Sequence, residues 1–152
     1  MSQYLEFYVK SKEDNFTYLD AFSRSTCMYH LLNEDIGAPY EKVRRMTKAR
    51  LQEAIGIGSD YLQSIIERKK KQEDTLKLIS SFNNSVDEKM EAIYEHQEIL
   101  EEYDDSITEW EWTLNYLRVL LNMAENMSYE ESKTGLYYGI EAGSPTLEDV
   151  VE

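Results

Sequence analysis

The chain has 152 residues, of which 30 are acidic and 16 basic, giving a net charge of −14. This balance argues against direct binding to nucleic acid, which requires cationic groups to neutralise phosphates. The single cysteine, Cys27, excludes an internal disulfide, and no apolar run reaches the length of a membrane span. We therefore expect one domain, residues 1–152, without membrane contact.

Residues 4–36 predict a β-hairpin followed by a short helix. β-forming residues fill positions 4–10 and 16–22, and a turn-type cluster separates them. Ser25 is placed to cap a short helix that runs to Leu32, and Gly37 suits the end of that helix.

Residues 39–82 predict helices two and three. Pro39 suits the first position of helix two, which is expected to run to about Ile55. Gly56-Ile57-Gly58 is then expected to break the helix, and a third helix is expected to begin at Ser59 or Asp60 and continue to Phe82.

Residues 85–127 predict a long acidic helix. It follows a polar connection at residues 83–85, where Ser85 and Glu88 form a capping-box pattern. Apolar and aromatic residues alternate at spacings of three and four in this helix and in helix three, which is typical of an antiparallel coiled coil. Folding the chain back at residues 83–85 places Gln72 near His96 and Lys69 near Leu100, and it places Arg68–Lys71 beside Glu98, Glu101 and Glu102.

Residues 135–152 predict a third strand and an acidic tail. The strand, Gly135–Glu141, is expected to join the N-terminal hairpin, because an isolated hairpin is only marginally stable. Thr146 and Asp149 are placed to cap one helical turn. The predicted fold class is α+β and predominantly helical, with a three-stranded antiparallel sheet and a long antiparallel coiled-coil helical hairpin.

Catalytic and metal-binding signatures are weak. His30 and His96 lack the neighbours of a metal site, and the spacing of Cys27 and His30 is interpreted as that of ordinary core residues. We expect no catalytic residue, no cofactor and no metal.

Acidic residues are concentrated between Asp87 and Glu111, where eleven acidic residues and one lysine give a net charge of −10. The segment is about 37 Å long as a helix. One net charge per ~4 Å is close to the charge spacing of a DNA strand. A solvated coiled-coil face is the alternative interpretation. The candidate partner-binding residues are Glu95, Glu98, Glu101, Glu102, Asp104, Asp105, Glu109 and Trp112.

A basic segment lies on predicted helix two and contains Lys42, Arg44, Arg45, Lys48 and Arg50. It is expected to pair with the acidic half of the protein or with an acidic partner, in preference to phosphate groups.

Three segments, Tyr4–Lys10, Phe22–Ser25 and Pro39–Val43, resemble small uncharacterised proteins encoded in tailed-bacteriophage genomes. The resemblance covers about a third of the chain and carries over no site residues. It implies a phage accessory protein, either in the cytoplasm of the host cell or assembled into a particle.

The leading functional hypothesis is a non-enzymatic, phage-encoded factor whose acidic helical arm binds a basic protein surface. It would act as an inhibitor or counter-defence factor, with nucleic-acid mimicry as one form of that action. The alternative is a structural or accessory subunit of a virion or other oligomeric assembly, including a homo-oligomer. A small enzyme is the remote alternative.

Overall fold

The computed structural model describes residues 3–11, 13–81, 86–125 and 135–152. The fold is α+β and 64% helical. Its strands are β1 (Tyr4–Lys10), β2 (Phe16–Ser23), β3 (Val43–Arg45), β4 (Gly135–Ile140) and β5 (Val150–Val151). Its α-helices are α1 (Cys27–His30), α2 (Lys48–Ser81) and α3 (Val86–Glu125).

Contacts divide the chain into two compact units. The sheet unit comprises Met1–Gly58 and Thr113–Glu152, and the hairpin unit comprises Ser59–Trp112. Both α2 and α3 contribute residues to each unit, so each unit is described separately below.

The sheet has five strands in the order β2-β1-β4-β3-β5, so the prediction of three strands was wrong. The predicted hairpin forms, with β1 antiparallel to β2, and the predicted third strand, β4, pairs antiparallel with β1. β4 also pairs with β3, which in turn pairs in parallel with β5. The sheet is therefore mixed, and β4 lies at its centre.

The central position of β4 explains its composition, because all six of its residues are buried. Leu136 and Tyr138 lie on one face beside Phe7 of β1, and Tyr137 lies on the opposite face beside Tyr8. A strand covered on both faces shows a continuous apolar run instead of alternation. Side chains from α1, α2 and α3 add to the buried core of the sheet unit, including Met28, Leu51, Ala54, Leu114 and Leu117.

The short helix α1 is capped by Thr26, whose side chain accepts a hydrogen bond from the Tyr29 amide at 3.2 Å. The prediction of Ser25 as the cap was therefore one residue early. A π-helical segment, Leu31–Ile36, follows α1 and ends at Gly37 with φ +77°, as predicted for that glycine. A positive φ is readily adopted by glycine, which has no Cβ.

Two helices were predicted within residues 39–82, and the bounds of the first were wrong at its start and at its end. Residues 43–45 form β3, and a single α2 then runs without interruption through Gly56 and Gly58. A glycine within a helix costs only about 1 kcal/mol relative to alanine, so tertiary packing can outweigh it. Gly58 is buried in α2, where the absence of a side chain permits close packing.

Helices α2 and α3 pack together as a long antiparallel hairpin, as predicted. α3 is 40 residues long and begins within one residue of its predicted start. The predicted connection at residues 83–85, including the capping role of Ser85, lies outside the described residues.

The tail after β4 forms a turn of 3-10 helix, Leu147–Asp149, before β5. Thr146 and Asp149 form a reciprocal capping box there, so this prediction was confirmed. The Asp149 carboxylate accepts the Thr146 amide hydrogen at 2.8 Å and lies 3.6 Å from Lys42 Nζ.

Candidate partner-binding surface

The hairpin unit is built on an apolar seam that follows the predicted spacing. Every predicted seam position of this unit is buried or partly buried, namely Leu62, Ile65, Lys69, Gln72, Leu76, Ile79, Ile93, His96, Leu100, Tyr103, Ile107 and Trp110. The Trp110 ring is 6% exposed and lies 5.2 Å from the ring of Tyr61. The seam therefore defines which face of α3 is turned away from α2.

Two polar contacts interrupt the seam. The Gln72 amide donates a hydrogen bond to Nδ1 of His96, close to the predicted register. Lys69 Nζ lies 2.6 Å from Asp104, and this hydrogen bond is the main cause that raises the Lys69 pKa above its ordinary value. Among the residues described, Lys69 pairs with Asp104 and with Glu73, and neither Lys69 nor its neighbours make an ion pair with Glu98, Glu101 or Glu102.

A line of seven acidic residues runs along α3 on the side away from the seam. Its members are separated by alternating steps of three and four residues, and they are Glu88, Glu91, Glu95, Glu98, Glu102, Asp105 and Glu109. We call this line the acidic stripe. Residues at these spacings are neighbours on a helix surface. The stripe therefore presents one carboxylate about every 5 Å over about 32 Å of helix.

The acidic stripe is turned to solvent. Six of its members are exposed and Glu109 is partly buried. Within the described part of the chain, no ion pair or hydrogen bond engages the side chains of the five middle members, Glu91, Glu95, Glu98, Glu102 and Asp105. Their charges are therefore available to an external partner.

Maintaining this stripe has a cost in stability. Like charges three or four residues apart destabilise a helix by about 0.2–0.5 kcal/mol per pair. Six consecutive pairs along the stripe add up to roughly 1–3 kcal/mol at low salt. Of the seven stripe residues, only Glu88 lies in the first turn of α3, where a negative charge interacts favourably with the helix dipole.

The two ends of the stripe differ in shape. At its beginning, Glu88, Glu91 and Glu95 line a shallow depression of about 250 Å³ together with Ala92. At its other end, Trp112 follows Glu109 by three residues and is 52% exposed. Aromatic residues of this kind are enriched among residues that dominate binding energy at protein interfaces.

The structure brings most of the predicted partner-binding residues together. Glu95, Glu98, Glu102, Asp105 and Glu109 belong to the stripe, Trp112 continues it, and Glu101 is exposed beside it. Asp104 differs from them, because it faces the edge of the seam and binds Lys69. The sequence interpretation omitted Glu88 and Glu91, which continue the same spacing toward the start of α3.

The basic segment begins at Lys42, just before β3, and continues through β3 into the first turn of α2, so the prediction that it lies on a helix was wrong for its first half. Lys42 pairs with Asp149, but the guanidinium groups of Arg44 and Arg50 donate to backbone carbonyls, at 2.9 Å to Gly37 and at 2.7 Å to Arg45. Internal pairing with acidic residues is thus observed for Lys42, and Arg44 and Arg50 have no carboxylate partner among the residues described.

Elsewhere in the described ranges, no group of three or more histidine, cysteine or acidic residues could hold a metal ion. His30 lies 3.1 Å from Glu34 on the following turn, and Cys27 is partly buried and forms no disulfide. Over these same ranges, no helix combines the length and the apolar character needed to cross a bilayer.

Comparison with known proteins gives no relative from which a function could be transferred. The chain matches no protein-family model, no curated protein and no solved structure.

Proposed function

We propose that this protein is a non-enzymatic binding factor whose acidic stripe docks on a basic surface of another protein. The proposal depends mainly on the acidic stripe of α3, in which every position at alternating steps of three and four is acidic from Glu88 to Glu109. A basic cleft that normally holds nucleic acid is a suitable partner surface, because the stripe offers a rigid series of negative charges. Such a factor would act by occupying that cleft.

Two features support this function over a merely solvated helix face. A solvated face normally mixes charges of both signs, which stabilise the helix through neighbouring pairs. The stripe instead repeats one sign at every step, at a cost to the helix. Exposed Trp112 adds a large contact surface at one end.

The bacteriophage resemblance of the N-terminal segments supports a more specific role. We propose that the protein is a phage accessory factor that binds and inhibits a basic protein of the host. If that host protein belongs to a defence system, the factor acts in counter-defence. The net charge of −14 favours a basic protein as the partner over a nucleic acid, since a polyanion would be repelled.

The test is affinity capture from a host lysate at increasing NaCl concentration, followed by mass spectrometry and titration of the captured partner. We expect a basic partner whose affinity falls steeply with salt, because screening weakens charge complementarity. The test variant is Glu95→Gln, Glu98→Gln, Glu102→Gln and Asp105→Asn in one chain. We expect this variant to bind at least tenfold more weakly.

A matched control separates the stripe from net charge. Glu53→Gln, Asp60→Asn, Glu67→Gln and Asp74→Asn remove the same number of charges from exposed positions of α2. This control is expected to bind within about twofold of the unmodified protein. Equal losses in both variants, salt-independent binding, or capture of nothing but other copies of the same chain would each contradict the proposal.

A further inference from the structure

A second concave surface lies in the sheet unit, on the face of the sheet that carries Tyr8 and Tyr137. It has a volume of about 500 Å³ and is lined by Tyr4, Glu6, Tyr18, Ala21, Glu141 and Gly143. The strand register explains the arrangement. Glu6 of β1 pairs with Ala21 of β2, and Tyr8 pairs with Tyr18, so these four side chains lie on the same face of the sheet. Glu141 and Gly143, just after β4, close the other side.

The carboxylate of Glu6 is held in a fixed orientation. It accepts a hydrogen bond from the Tyr8 hydroxyl at 2.8 Å and one from the Gly143 amide at 3.2 Å. Burial is the main cause that raises the pKa of Tyr8, and the hydrogen bond to Glu6 adds to it. The Tyr8 hydroxyl also contacts the carbonyl oxygen of Gly143, so its single hydrogen is shared between the Glu6 carboxylate and that carbonyl.

The pocket carries negative charge without a positive counterpart. No basic residue lines it, and neither Glu6 nor Glu141 makes an ion pair with any residue that the structure describes. Two carboxylates in one depression repel each other, and a cation between them would relieve that repulsion.

Two aromatic rings stand at the same depression. Tyr4 is 43% exposed and Tyr18 is 58% exposed, so both rings are accessible to a ligand in the depression. The faces of tyrosine rings attract cations, and aromatic walls combined with acidic groups are the usual means of binding alkylammonium and guanidinium groups.

We propose that this depression is a binding site for an organic cation, in which Glu6 and Glu141 supply charge and Tyr4 and Tyr18 supply aromatic contact. The ligand is an alkylammonium or guanidinium group, either on a free small molecule or at the end of a protein side chain. A metal ion does not fit the same chemistry, because half of the lining is aromatic and apolar. The site is separate from the acidic stripe, so it stands or falls independently of the proposed docking function.

Glu141 allows a variant that removes charge without harming the fold. Its φ is +56°, a conformation that asparagine tolerates better than glutamate. Glu141→Asn is therefore expected to fold at least as well as the unmodified protein while losing one carboxylate from the pocket. Glu41→Asn is a matched control, because Glu41 has a φ of +58° and does not line the pocket.

The experiment is a titration of the full chain with tetramethylammonium chloride and with Nα-acetyl-arginine amide, at constant ionic strength maintained with NaCl. Binding is followed by the amide resonances of Ala21 and Gly143 in two-dimensional NMR. We expect saturable shifts with at least one probe, and the probe that binds more tightly identifies the ligand group as an alkylammonium or a guanidinium.

Glu141→Asn is expected to weaken binding at least fivefold, Tyr18→Leu to weaken it similarly, and Glu41→Asn to leave it unchanged. The proposal is overturned if neither probe gives saturable shifts, or if Glu141→Asn binds as well as the Glu41→Asn control. Loss of the partner docking described above would not alter these titrations.

Discussion

Gly139 occupies a position in β4 where the backbone of the chain before β3 passes closely. A Cβ built on Gly139 would lie 1.9 Å from the carbonyl oxygen of Lys42, so no side chain fits there without moving backbone. We expect Gly139→Ala to lower the free energy of unfolding by about 2–3 kcal/mol, as overpacking of a core does. Urea denaturation followed by circular dichroism measures the change.

Gly56 provides the opposite case within the same chain. It is exposed in α2, and no atom lies within 4 Å of a Cβ built on it. Gly56→Ala should therefore raise the free energy of unfolding by about 0.5–1 kcal/mol through helix propensity. A neutral or stabilising Gly139→Ala variant would contradict the close approach assigned to Gly139, and a destabilising Gly56→Ala variant would contradict the free space assigned to Gly56.

The stability of the folded tail depends on pH through Asp149. The Thr146 amide hydrogen bond is the main cause that lowers the pKa of Asp149 below its ordinary 3.8, and Lys42 contributes as well. Because the pKa is lowered in the folded protein, the ionised carboxylate stabilises the folded tail at pH values above the ordinary pKa of aspartate. This stabilisation is lost as the pH falls through the lowered pKa of Asp149. We expect the Thr146 amide resonance to move along a titration curve with its midpoint below pH 3.8.

Asp149→Asn is the control for this titration. The asparagine side chain carries no charge that acid could neutralise, so the Thr146 resonance should become independent of pH over the same range. A midpoint above the ordinary aspartate pKa in the unmodified protein would contradict the assigned contacts.

At the level of the elements, the polar contact between Gln72 and His96 interrupts the seam of the hairpin. Polar residues at seam positions specify register at a cost in stability. We expect Gln72→Leu with His96→Leu to raise the free energy of unfolding by about 1 kcal/mol. Each single replacement should instead lower it by about 1 kcal/mol, because one partly buried polar group loses its partner.

Denaturant titrations of the four proteins of this cycle provide the measurement. A double variant less stable than either single variant would show that the pair contributes net stability. In that case the hydrogen bond, and not the apolar seam, would dominate this part of the hairpin.

Elements with strong periodicity were predictable, and short ones were not. α3 has a seam repeat over 40 residues, and β1, β2 and β4 have β-forming runs, so sequence reasoning located all four. β3 and β5 are three and two residues long, too short to show alternation. Their strand conformation depends on pairing with each other and with β4, which no local pattern encodes.

The candidate site was partly predictable for the same reason. The acidic residues of α3 were identified from charge density alone, which cannot distinguish Asp104, bound by Lys69, from Asp105, turned to solvent. Applying the seam spacing to the acidic residues would have separated them and added Glu88 and Glu91. The pocket at Tyr4 and Tyr18 could not be predicted, because it requires the register of β1 with β2 and the turn after β4.

At the scale of the whole molecule, the net charge of −14 opposes compaction. We expect the melting temperature to rise between 10 and 300 mM NaCl, because salt screens this repulsion. The variant with four stripe residues neutralised should melt at a higher temperature in low salt and show a smaller rise. Differential scanning fluorimetry measures both, and a melting temperature that falls with salt would contradict the expectation.

The neighbour of β1 at the sheet centre is β4, and their paired residues, such as Leu5 and Ile140, are separated by most of the chain. During synthesis on the ribosome, β1 emerges long before β4, and the β1–β2 ribbon alone is marginal. The helices, whose contacts are local, can form while the chain is still growing. The edge of β1 that pairs with β4 therefore stays unpaired until β4 has been synthesised, and during this interval the chain is most exposed to aggregation through that edge.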